Sequence, residues 1–90
     1  MNENKKNLQL TKKLAEVIRK TRLEKTNLSL NKFAYSFDIS RGNLSKIENA
    51  ESECKFVTFW KIAEALGLKP SEFVKILEQE LGEDFTLIDE

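Results

Sequence analysis

The chain has no histidine, one cysteine, one proline and three glycines among its 90 residues. Each scarcity excludes something. Without histidine, the commonest metal ligand and the commonest general acid–base group are both missing. The lone Cys54 cannot form an internal disulfide or a cysteine-cluster metal site, so no metal and no cofactor are expected. There is no nucleophile elbow and no glycine-rich phosphate loop, so no catalytic residue is assigned and no enzyme is expected. No apolar run approaches the roughly 18 residues that a membrane span needs. The N-terminal "MNENKKNLQL" is polar where a signal peptide would be apolar, and a free thiol suits a reducing compartment. These features point to a cytoplasmic protein with no membrane partner and no small-molecule ligand. Few breakers, and no alternating run before the last few residues, make the pattern all-α.

What is present is one domain's worth of chain, with 40% hydrophobic residues, enough for one modest core. Net charge is zero, but it is unevenly spread. Residues 1–49 carry eleven Lys/Arg and five Asp/Glu, whereas residues 50–90 carry four and ten. The halves stand at +6 and −6. A basic half facing a polyanion and a merely solvated surface both fit this distribution.

Periodicity predicts five helices. Leu10, Leu14, Val17 and Ile18 recur at helical spacing and mark a helix over about 8–24. Ser29 and Ser40 are good N-caps for two short helices, one over residues 30–37 and one ending near Asn49. Phe56, Phe59, Trp60, Ile62, Ala63 and Leu66 mark a fourth helix that stops at Gly67, with Trp60 and the phenylalanines expected in the core and a dimer contact as the alternative for Trp60. Pro70 suits a first turn, and a fifth helix runs to Leu81 before Gly82. The domain boundaries expected are a flexible basic arm over 1–9, a bundle over 10–82, and an acidic tail over 83–90 that is loose or a strand.

Residues 30–49 form a unit of two short helices and a turn. Phe33, Phe37, Ile39, Leu44 and Ile47 are its apolar positions. Ala34 is small where two steeply crossing helices would touch. Asp38 stands at the turn, where a residue with φ > 0 is needed and Asp is among the easier choices after Gly. This pattern closely resembles the helix-turn-helix of the lambda repressor and Cro-like family of bacterial and phage regulators. The likeness extends to "IRKTR", "LSLNKFA", "ISRGNLSKIENA" and "FWKIAEALGLKPSEF", covering roughly residues 14–78. It departs where Asp38 and Ala50 replace the usual Gly, where Leu30 replaces a common Gln, and where Glu51 and Glu53 occupy the loop. Ala50 implies a different helix exit.

Placed on a helix turning about 100° per residue, Leu44 and Ile47 define the inward side of residues 41–49. Gly42, Lys46 and Asn49 then point outward with Ser45 beside them, Arg41 and Asn43 lie on the flanks, and Glu48 faces inward. The inward carboxylate needs a partner, and Arg22 or Arg19 is the candidate. The resemblance makes the third helix a recognition helix, with Arg41, Gly42, Asn43, Ser45 and Lys46 at base edges. Arg41 suits bidentate pairing with guanine. Gly42 lets the helix start approach the groove closely. Ser29, Leu30, Asn31, Lys32, Ser40, Asn49 and Lys55 form the expected phosphate rim.

Relatives bind inverted repeats as dimers, so a homodimer on double-stranded DNA is expected. Phe73, Val74, Ile76, Leu77 and Leu81, with Phe85 and Leu87 of the tail, are its expected interface. The implied function is a sequence-specific transcriptional regulator, a repressor or autoregulator of phage, mobile-element or restriction–modification controller type. The alternative is an antitoxin-like module whose acidic C-terminal half binds a partner protein.

Overall fold

The computed structural model describes residues 2–88, with side chains from Lys5 onward. Met1 of the expected arm, the side chains of residues 2–4, and Asp89 and Glu90 of the tail lie outside the described residues. Five helices follow in order: α1 (Asn2–Thr26), α2 (Leu30–Ser36), α3 (Arg41–Glu48), α4 (Phe56–Ala65) and α5 (Pro70–Leu81). There is no strand among the described residues, and none of these helices is long and apolar enough to cross a membrane.

The short helices start where their caps dictate. The Ser29 hydroxyl accepts from the Lys32 N–H at 3.2 Å, and the Ser40 hydroxyl accepts from the Asn43 N–H at 3.3 Å. Each cap stabilises its helix by about 1 kcal/mol. At α5, Pro70 takes the first turn while the Glu72 carboxylate accepts from the Lys69 N–H at 2.8 Å. α4 is stopped by Gly67, two residues past its last turn, whose φ of 79° lets the Leu68 N–H turn back to the Ala63 carbonyl.

Two expectations need correction. Residues 2–9 are not a separate arm but the start of α1: they contain no Gly or Pro, so nothing interrupts the helix. Of the two forms open to the tail, loose or a strand, the described residues of "FTLI" take the irregular one, with Lys6 Nζ donating to Thr86 Oγ1 at 3.5 Å and the Thr86 hydroxyl donating to the Ile88 carbonyl. Ala50 does not change the exit of α3. It takes the left-handed conformation itself, at φ 58°, as Asp38 does in the turn at φ 54°. A residue with a Cβ bears a cost of about 1–2 kcal/mol there.

The core gathers one stripe from every helix. Ile18, Phe33, Leu44, Ile62 and Phe73 are fully buried, each contributing about 1.5–3 kcal/mol by leaving water. The Phe59 and Phe73 rings stack at 5.1 Å and join α4 to α5. Phe73 therefore belongs to the protomer core, not to a dimer interface. Conversely, Trp60 and Phe56 are not core. They are 46% and 73% exposed and meet edge-on, with the Trp60 indole N–H donating to Glu64. The inner face of α4 is already filled by Phe59, Ile62 and Ala63, so an apolar arc broader than that face leaves its flank outside.

Candidate nucleic-acid interface

α3 is held from inside and open outside. Leu44 and Ile47 are buried, while Arg41, Gly42, Asn43, Lys46 and Asn49 are exposed and Ser45 is half-buried. The helix pitch alone accounts for this division. The turn before it is closed by Ala34, whose carbonyl accepts from the Ile39 N–H at 2.9 Å, and by Lys61, which donates to the Asp38 carbonyl at 2.6 Å. α4 thereby braces the angle at which α3 leaves α2.

The inner anchor is ionic. Arg22 Nε and Nη2 each donate to a Glu48 carboxylate oxygen at 2.9 Å, and Nη1 donates to the Leu28 carbonyl at 2.6 Å. Both side chains are about 5% exposed, so the pair is shielded from water. One guanidinium thus ties α1 to α3 and to the connection entering α2. Arg19, the other candidate partner, is exposed. A planar fork meeting a carboxylate bidentately is the geometry at which Arg surpasses Lys.

On the outer face, Arg41 Nε donates to Asn31 Oδ1 at 2.5 Å. Lys46 and Asn43 share a crevice with Lys55 and Thr58 at the start of α4, and Glu53 enters the same crevice. Asn49 donates to the Ser45 hydroxyl, so Ser45 is less free to meet a base than its spacing implied. Of the expected phosphate rim, Asn31, Lys32, Asn49 and Lys55 are exposed, whereas Leu30 packs against the core and offers only its backbone. The Ser29 and Ser40 hydroxyls accept as caps, which leaves each O–H to donate.

A Cβ added at Gly42 would meet no atom within 4 Å. Protomer packing therefore does not require glycine here. Gly42→Ala is expected to raise stability by about 0.5–1 kcal/mol, yet to weaken operator binding if this turn lies against DNA. A thermal melt paired with a binding titration checks both signs.

Half-buried Cys54 lies beside the interface, in the α3–α4 connection. Burial pushes its thiol up to about 11, so it stays protonated and inert at neutral pH. Among the described residues, no group of His, Cys, Asp or Glu side chains gathers as a metal site.

A family model described as "Helix-turn-helix" matches residues 18–73. The chain belongs to the helix-turn-helix family of lambda repressor and Cro-like regulators. The matched span starts within α1 and ends in α5, so it contains both anchors of α3 and nearly the whole core. Two curated relatives are control proteins. Control protein C.MunI of Mycoplasma is 38% identical over 63 residues, which is 70% of this chain and 85% of that protein. Control protein C.BamHI of Bacillus amyloliquefaciens is 33% identical over 57 residues, or 63% of this chain and 70% of that one. No solved structure matches significantly. As a helix-turn-helix regulator the protein is a DNA-binding transcriptional regulator.

Two features escaped sequence reasoning. The Arg41–Asn31 bond joins residues ten apart on different helices, and no pattern announces it. The exposed apolar side of α4 was readable: Phe56, Val57 and Trp60 widen the apolar arc to one flank of Phe59, Ile62 and Ala63, so the arc is broader than one packed face.

Proposed function

We propose that this helix-turn-helix regulator is a dimeric repressor or autoregulator of the restriction–modification controller type. It reads an inverted repeat with Arg41, Asn43 and Lys46. The outward face of α3 carries the reading: its exposed side chains are those that bond bases and phosphates, while its inner side is locked by Leu44, Ile47 and Glu48. Likeness to two control proteins over most of their lengths supports the controller type against an antitoxin-like module.

A single recognition helix makes too few base contacts, whereas two on a two-fold axis meet half-sites about 34–36 Å apart. With Phe73 in the core, the surface available for pairing changes. Val74 and Leu87 remain about 40% exposed, but Phe56 and Val57 of α4 are over 70% exposed beside Trp60. Two copies meeting there would cover the largest exposed side chains of the helix. Val57→Asp is expected to shift the dimer towards monomer at tens of micromolar, read by sedimentation, without loss of helicity. An unchanged sedimentation profile would remove α4 from the interface.

The deciding experiment is in vitro selection of bound DNA. An enriched sequence with two-fold symmetry is expected, with affinity falling steeply as salt rises because bound Lys and Arg release counterions. Enrichment of no sequence would refute specific reading, and an asymmetric single half-site would refute the dimer.

A further inference from the structure

Asn31 was expected only to touch a phosphate, yet its side-chain oxygen accepts from Arg41 Nε across the turn. An Arg guanidinium offers five donors, one on Nε and two on each Nη. With Nε engaged, the Nη1–Nη2 edge is left for a ligand, and that edge can span guanine O6 and N7. Both residues are exposed, and the bond joins the first turn of α2 to the first residue of α3. It is therefore not an incidental contact inside a packed core. It orients a side chain that would otherwise sample many rotamers before meeting DNA.

We propose that Asn31 is a positioning residue for sequence discrimination: by holding Arg41 Nε, it presents the guanidinium end-on to one base pair of the operator. The inference rests on Arg41 reading a base. Holding one rotamer in advance removes part of the ordering cost of binding, and the discrimination at stake is roughly two- to tenfold. Asn31 sits outside the core, so its variants keep the fold. A phosphate contact alone would have a different effect, weakening binding to all sequences alike.

The test measures, on the selected operator, the ratio of affinities for the cognate base pair and a substituted one at each position. Asn31→Ala is expected to lower this ratio at one position and leave the others unchanged. Asn31→Asp keeps an acceptor for Nε, so it should hold the ratio while its added negative charge weakens binding to every sequence. In an Arg41→Ala background, Asn31→Ala should have no further effect on the ratio, because its influence passes through Arg41. A uniform loss with unchanged ratios, or Asn31→Asp losing discrimination as Asn31→Ala does, overturns the proposal. An Arg41→Ala protein that discriminates like wild type overturns the base reading, and with it any reading role for Asn31. The bond is tested separately in the free protein: exchange of the Arg41 Nε proton with water, followed by NMR, should be slower in wild type than in Asn31→Ala. Equal exchange in the two proteins overturns the proposal without reference to DNA.

Discussion

Glu48→Ala is expected to destabilise the protein by about 3–5 kcal/mol, the cost of leaving one member of a buried ion pair without its partner. The Arg22 guanidinium is buried to within 5% and directs two of its three described bonds at the Glu48 carboxylate. Its remaining bond, to the Leu28 carbonyl, cannot compensate a full positive charge. In a domain of this size each kcal/mol moves the melting temperature by about 4–8 °C, so a fall of at least 10 °C should be plain in a circular dichroism melt. The double variant Arg22→Met with Glu48→Leu separates charge from packing. Replacing both partners with apolar side chains of similar volume is expected to recover most of the loss. A Glu48→Ala protein melting within a few degrees of wild type would show that the pair does not hold α3.

Arg41→Ala should leave the melt unchanged and strike binding instead. The side chain is exposed, so nothing in the core depends on it. On the selected operator the loss is expected to be about 1–3 kcal/mol, confined to one base pair where specificity relaxes. Arg41→Lys keeps the charge but loses the bidentate fork, so affinity should fall less than discrimination. Lys55→Ala offers the contrast. Lys55 is an exposed member of the expected phosphate rim, so its loss should weaken binding evenly across sequences and lower the slope of affinity against salt by about one. Equal binding of a selected site by Arg41→Ala and wild type would remove Arg41 from the base-reading set.

The helices and the inward side of α3 were legible because they depend on local rules. Leu44 and Ile47 are three apart, so the pitch of the helix sends them the same way whatever surrounds them. Ser29 and Ser40 cap because a short side-chain oxygen lies next to unpaired backbone N–H groups. Asp38 accepts a positive φ because its residue type tolerates it, and Ala50 does so against its own preference because the Ile47 and Lys46 carbonyls accept from the Ala50 and Glu51 N–H groups. Glu48 had to have a buried cation near it, but pitch alone left Arg22 and Arg19 both open. They lie three apart on α1, and only the packing of α1 on α3 turns Arg22 inwards and Arg19 out.

Tertiary structure decided matters that depend on which of two similar surfaces is covered. α4 and α5 each carry more apolar residues than one side can bury. Assembly buried Phe59 and Phe73 against each other and left Phe56, Val57 and Trp60 in water, reversing the expected roles of Phe73 and Trp60. It also brought Asn31 to Arg41, a contact that needs the α2–α3 crossing angle to exist at all. By itself the sequence determined the helix-turn-helix, its caps and the outward set on α3, since those follow from spacing within one element. Which residues bond across elements, and which apolar side stays exposed, depends on the packing of several helices at once, and spacing along one of them carries no record of it.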